Sequence, residues 1–370
     1  VCMGLLLVLS SCHTGKQITA SGLQRKDFQT EVNGQHTDLF TLSNKQGMEV
    51  CITNYGARVV SILVPDRNGK REDVVCGFST ITEYMEQRQN FGSTVGRYIG
   101  RILNARFTLD GVEYKLVPNN GKSGHISHGG NPGFADRIWK VEQADTHRVR
   151  LSYLSPDGEN GFPGNLKVTL VYSLGEDDNA LDLTYEATTD APTVLNLSHH
   201  SFFNISGNFT KSVEDQQLWV DADRFTPYDD KKCVTGEYLP VAGTPLDFRM
   251  PHTIGECIDA DHPQLKVVNG YDHTWELNTK GDDTRPAAWV YDPASGRKME
   301  IFTTEPGMQI YTGNGLKGKM TGKGGIAYPF RSAVCFETMH FQDSPNQPGF
   351  PSTVLRPGEV FRSHTVYKFE

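Results

Sequence analysis

Short runs rich in β-branched and aromatic residues restart again and again along this chain, each closed by Gly, Asn, Asp or Pro. Their spacing predicts strands at 39–42, 48–53, 58–64, 107–109, 149–154, 166–174 and 181–187. Turn sequences fall between them at 44–47, 65–69, Asp110-Gly111 and Pro156-Asp157-Gly158. With 37 glycines and 19 prolines the chain has the means for many tight turns and few long helices. The best helical segment, 82–89, is short, and 265–268 is expected as another strand. This is the pattern of an all-β sandwich or barrel. No repeat of fixed period and no linker interrupts the body, so 28–370 is expected to be one large domain.

The first residues belong to a different object. Residues 3–9 are apolar but too few to span a bilayer as a helix. Ser10, Ser11 and Cys12 follow, then a polar run. Leu9-Ser10-Ser11-Cys12 resembles the lipobox of bacterial lipoproteins, although no basic residue precedes the apolar run. That resemblance implies a signal segment at 1–12, a lipid on Cys12, a polar tether at 13–27, and an exported, periplasmic or cell-surface protein whose contact with a membrane is through the anchor. Without a signal the protein is expected in the cytoplasm. The net charge of −8 and pI near 5.9 argue against a nucleic-acid partner. Apart from Cys2 and Cys12, the cysteines are 51, 76, 233, 257 and 335, widely spaced and without a CxxC pair. Neither a disulfide framework nor a zinc site is indicated.

The stretch 333–348 reads AVCFETMHFQDSPNQP. Alternation puts Cys335, Glu337, Met339 and Phe341 on one side of a strand, so Glu337 is a carboxylate on an apolar face. Burial disfavours its charged form and makes it a stronger base; a structural ion pair is the plainer explanation. In NLSHHSFFN, 196–204, His199 and His200 point to opposite faces if the segment is a strand. Adjacent strand residues do not readily chelate one ion, and no HxH or HExxH spacing occurs, so no metal is expected. Arg97 and Arg101 lie among glycines, where they can meet hydroxyls or pair with acids. His128 precedes a glycine pair and Asp272 sits in an expected loop at 270–273. Gln309 offers a donor and an acceptor that suit sugars or a satisfied core amide alike. The Gly- and Lys-rich segment 312–325 is expected to be a mobile loop. No GxSxG, P-loop or dinucleotide fingerprint stands between a strand and a helix, which leaves serine nucleophiles and redox cofactors without support.

Taken together, these segments resemble the aldose 1-epimerase family, the galactose mutarotases. The matching pieces are Tyr55-Gly56-Ala57, Gly96-Arg97 through Arg101-Ile102, His128-Gly129-Gly130, Asn196-Leu197-Ser198 through His200, 241–249, 270–273, 306–314 and Phe336-Glu337-Thr338 with 343–345. The resemblance implies a large antiparallel β-sandwich (the galactose mutarotase-like supersandwich) with the site in a groove on one sheet. It matches Glu337 to the catalytic base, His200 to the catalytic acid, and Arg101, His128, Asp272 and Gln309 to substrate-binding positions. Gly100 and His199 depart from it, since the family usually has Asn at both. An amide missing at 100 is expected to affect which sugar epimer is preferred.

The reaction so implied interconverts the α and β anomers of free aldohexoses such as glucose and galactose, with no cofactor. An ionised Glu337 is expected to take the O1 proton while a protonated His200 gives one to the ring oxygen, each charge favouring the other. Two alternatives stand beside it. A hexose-6-phosphate 1-epimerase would need a basic cluster, for which Arg97 and Lys317, Lys319 and Lys323 are the candidates. A non-catalytic glycan-binding lipoprotein would need no acid and base. A monomer acting on a small aldose is expected.

Overall fold

The computed structural model describes residues 17–370. The expected signal and anchor at 1–12 lie outside the described residues. From residue 17 the expected tether is corrected, because it packs on the body. Leu23 is 5% exposed, the backbone N–H groups of Ala20 and Ser21 donate to Glu49 Oε1 at 2.7 and 3.2 Å, and Arg25 pairs with Asp38. A buried leucine and two waiting carboxylates give this polar stretch a reason to adhere.

Two sheets form the main sandwich. The larger has nine strands, ordered in space Lys140–Ala144, Arg148–Ser155, Leu166–Leu174, Ala180–Thr189, Phe361–Phe369, Lys298–Thr303, Ala288–Tyr291, Gln217–Val220 and His252–Thr253. The smaller has six, ordered Phe202–Phe203, Val334–Met339, Gly307–Tyr311, Asp272–Glu276, Arg224–Thr226 and Leu239–Pro240. Every strand pairing within the two sheets is antiparallel. The strand Leu166–Leu174 alternates buried and half-exposed or exposed positions, which is what a sheet with one covered face requires. Its inward residues Leu166, Val168, Leu170 and Tyr172 share a core with Trp275, Met308, Ile310, Val334 and Phe336 from the back of the six-stranded sheet. Strands on the smaller sheet thus send alternate side chains into this core and leave the intervening ones for the opposite face.

A further four-stranded sheet, Leu39–Ser43, Glu49–Thr53, Arg58–Pro65 and Arg71–Asp73, flanks the sandwich. The expected strands thus form with ends shifted by one or two residues, and the short helix is Ile81–Gln87, begun by a reciprocal cap between Thr80 and Glu83. Two local expectations are corrected. Segment 265–268 is helical, within Pro263–Val268, because Pro263 occupies the first turn and the His262 side chain accepts from the Gln264 N–H. Asp272 opens a strand instead of sitting in a loop, since its register partner Tyr311 is available on the neighbouring strand. The Lys-rich segment is fastened near its end, where Lys323 Nζ meets Asp73 Oδ2 at 2.6 Å.

Candidate active site

Register on the smaller sheet gathers the site. Glu337 lies directly across from Gln309, and Gln309 directly across from Thr274. Opposed residues of an antiparallel pair share a face, so these three form a row on the side away from the core. Two residues before Thr274 on the same face comes Asp272, paired with Tyr311. His200 ends the short strand Ser198–His200, which pairs with Ser93–Val95. Arg101 and His128 come from a small ribbon in which Ser127 pairs with Arg101. His128 sits in the left-handed region at φ 52, and Gly129 after it approaches another loop so closely that a Cβ would lie 2.0 Å from the Gly96 carbonyl oxygen.

All six residues singled out from the sequence line one groove of about 250 Å³, together with Gly100, Phe202, Tyr311 and Gln342. That volume lies below the usual range for drug-sized ligands and suits one small ring. His199 turns the other way, into the core, where its Nε2 lies 2.6 Å from Ser201 Oγ. Arg97 is also absent from the groove. It is 2% exposed and spends its guanidinium on the carbonyls of Pro163, Gly164, Ser155 and Pro156 and the hydroxyls of Ser155 and Thr193. Trp139 and Trp275 are core residues, and Trp219 and Trp289 stack on each other on the nine-stranded sheet, so none is a sugar platform here.

His200 Nε2 lies 3.4 Å from Glu337 Oε1, with the residues 6% and 4% exposed. The imidazole stacks on Phe202 at 5.1 Å between centroids, and His128 meets its edge at 5.5 Å. Burial raises the Glu337 pKa well above the ordinary value, with the Asp272 charge adding to it. Burial likewise lowers the His200 pKa well below its ordinary value, with His128 contributing. Both shifts run against the expected charge-separated pair in the open groove, because desolvation disfavours the charge on each group. His128 is also held neutral, pulled down to about 4 by burial and by Arg101. Its Nδ1 accepts from the Gly100 N–H at 3.4 Å, which leaves Nε2 as the donor. Asp272 is raised by burial, opposed by Arg101 and by Gln309, whose amide donates to it at 2.7 Å.

Ligand atoms of His200, Cys335 and Glu337 lie within 4.8 Å of one another, so the trio has the count for a metal ion. A metal-bound histidine normally donates its other ring N–H to an acceptor, and His200 Nδ1 is buried without a hydrogen-bond partner among the described residues. The groove is thus better built for moving protons than for holding an ion.

Sequence reasoning missed Phe202, Tyr311 and Gln342 in the groove, and behind them Tyr228, whose hydroxyl accepts from Gln342 Nε2 at 2.7 Å and from Gln309 Nε2 at 3.4 Å. The first two were within reach, since they stand two residues from His200 and Gln309 on the same faces. Gln342 lies beyond the end of its strand and Tyr228 on a distant segment, where no periodicity points inward.

An antiparallel sandwich that presents a carboxylate and an imidazole to a small polar groove has the two kinds of group that acid–base chemistry needs. The profile of the family described as aldose 1-epimerase matches residues 38–368. Galactose mutarotase of Sus scrofa is 39% identical over 330 residues, 89% of this chain and 93% of that one. Aldose 1-epimerase of Escherichia coli K12 is 36% identical over 339 residues, covering 91% and 96%. Among solved structures, an aldose epimerase homologue from C. elegans superposes with a TM-score of 0.83 at 31% identity, covering 90% of this chain and 99% of that one. Galactose 1-epimerase from Lactobacillus acidophilus gives 0.80 at 28% identity, covering 92% and 96%. The chain belongs to the aldose 1-epimerase family and is an isomerase.

Proposed function

We propose that this protein interconverts the α and β anomers of free aldohexoses, galactose and glucose among them, with Glu337 and His200 as the proton-transfer pair. The observation that carries the reading is their 3.4 Å approach at the wall of a ring-sized groove. Both groups reach for oxygens on one carbon. Glu337 takes the proton of O1 as the C1–O1 bond becomes a carbonyl. The C1–O5 bond breaks, and O5 receives the proton from His200 Nε2. After rotation about C1–C2, O5 attacks the other face of C1, returns its proton to His200, and O1 recovers the proton held by Glu337. The pair carries one proton throughout, on His200 before opening and on Glu337 while the aldehyde is open. The neutral pair favoured by burial is the state from which ring closure starts, and closure through O5 and O1 returns the proton to His200.

Arg101, His128, Asp272 and Gln309 hold the hydroxyls so that the open chain stays over the pair. Among the described lining residues Arg101 is the cation, and Arg97 is committed to buried carbonyls. Lys323 is tied to Asp73. These placements favour an uncharged aldose over a sugar phosphate, and the acid–base pair favours turnover over simple glycan binding. For location, the lipobox-like segment ending at Cys12 supports an exported lipoprotein. Polarimetry of freshly dissolved α-galactose, α-glucose and α-glucose 6-phosphate tests the function. Acceleration of the first two is expected; acceleration of the phosphate alone, or of none, refutes it.

A further inference from the structure

Gln342 has no assigned part in the chemistry above, yet it is 5% exposed and lines the groove. It is there because residue 100 is a glycine. Gly100 has φ +76, and a Cβ on it would lie 2.5 Å from Gln342 Cγ and 3.0 Å from Cδ. A side chain at 100 would force the glutamine out of this position. The two positions are therefore complementary, one supplying space and the other an amide.

That amide is fixed at both ends. Its Oε1 accepts from the backbone N–H of Arg101 at 3.2 Å. Its Nε2 donates to Tyr228 Oη at 2.7 Å and to Gln309 Oε1 at 3.3 Å. Gln309 Oε1 also accepts from the Thr274 hydroxyl, so the oxygen side of that second amide is occupied and its nitrogen is turned to Asp272 and Tyr228. Reversing the Gln309 amide would set donor against donor at Gln342 and leave Asp272 facing an oxygen. Gln342 thereby orients three of the groups placed on the sugar hydroxyls: Arg101 through its backbone, Gln309 directly, and Asp272 through Gln309.

We propose that Gln342, seated in the space left at Gly100, is a specificity-determining residue that sets how strongly the site discriminates between aldohexoses differing in configuration at one hydroxyl. The inference rests on the mutarotase reading and names what tunes it. Gln342 contacts neither Glu337 nor His200 through any hydrogen bond among the described residues, so its effect falls on binding and not on proton transfer.

The test compares wild type with Gln342→Leu, which keeps bulk and removes both hydrogen-bonding ends, and with Gln342→Asn, which keeps an amide too short to span them. Steady-state polarimetry on galactose, glucose and mannose gives kcat and KM for each. Losing one such hydrogen bond is expected to raise KM about five- to tenfold for the epimer whose hydroxyl depends on the network and less for the others. The galactose-to-glucose ratio of kcat/KM then shifts by the same order, while the pH profile of kcat stays as in wild type. If Leu at 342 prevents folding, the Asn variant carries the same expectation. Equal KM changes for all epimers, an unchanged ratio, or a displaced pH profile overturn the inference. A wild type inactive on every aldose sinks the functional reading itself; an active wild type with unchanged ratios in the variants sinks this inference alone.

Discussion

Replacing Glu337 with Gln separates the chemistry of the carboxylate from its shape, and the structure predicts opposite signs for rate and stability. The amide fills the same space 3.4 Å from His200 Nε2 and cannot shuttle a proton. One general acid–base partner is lost, which lowers kcat by about 10²–10⁴-fold. Stability moves the other way. Burial raises the folded-state pKa of Glu337 well above the ordinary carboxylate value, about 4.3. Below that value wild type bears no penalty. Between it and the raised value, the unfolded chain has released the proton and the folded chain has kept it, so wild-type stability falls as pH rises, by about 1.4 kcal/mol per pH unit at most. Glutamine does not titrate. The variant is therefore expected to match wild type near pH 5 and to be the more stable protein at pH 7, with a widening gap between. Polarimetry of fresh α-galactose gives the rate, and urea unfolding at several pH values gives the gap. A variant retaining a tenth of the wild-type rate would falsify the assignment of Glu337. A variant that loses stability relative to wild type as pH rises would show that the carboxylate is held charged by a partner, and the burial reasoning would fail.

The pH–rate profile should be broad, because activity needs a single proton on the pair. Its acid limb should lie below the usual histidine value of about 6.5 and its alkaline limb above the carboxylate range, given the lowered His200 and raised Glu337; a narrow bell centred on 6.5 would contradict this. Arg97→Met should cost about 3 kcal/mol or more in urea unfolding, since it strands buried carbonyls and hydroxyls now served by one guanidinium; a loss under about 1 kcal/mol would mean those acceptors find other partners. His364 bridges Asp182 and Asp283 at 3.1 and 2.7 Å, chiefly the Asp182 hydrogen bond raising its pKa. Its contribution is complete below the unfolded value and lost as pH rises through the folded one, so His364→Gln should lower stability at pH 6 and little at pH 8.5. The bridge is partly exposed and screening limits it to about 1 kcal/mol or less; equal losses at both pH values would refute the charge argument. Exhaustive chelation should leave the mutarotation rate unchanged, and a loss restored by a divalent ion would assign the His200–Cys335–Glu337 trio to a metal.

Alternation was enough to set Glu337 on the side of its strand opposite Val334 and Phe336 and to part His199 from His200, because strand geometry fixes both without reference to any neighbour; that the Glu337 side is a polar groove and not an apolar face came from the strands beside it. The turn residues likewise marked most strand ends, and the joint order of the motifs pointed to the family. Proximity was another matter. Glu337 meets Gln309 through register, His200 arrives from a strand 137 positions earlier in the numbering (337 − 200), and the charge state of the pair follows from how much water their packing excludes. The sequence invited an ion pair; enclosure favours two neutral groups.

Other features show the same division. Arg97 and Arg101 looked alike in the chain, both beside glycines, yet one is buried under carbonyls and the other lines the groove. Composition cannot separate them, because the difference lies in which loop closes over each. Gly100 was legible as a missing amide, whereas the glutamine that occupies its space comes from beyond the end of another strand. What the amino-acid order settled by itself was local: which residues extend, which turn, and which face each side chain takes, all consequences of backbone sterics and short-range pattern. Only the packed sheets decided which of those faces look at one another, since register, desolvation and close approach depend on segments far apart in the chain.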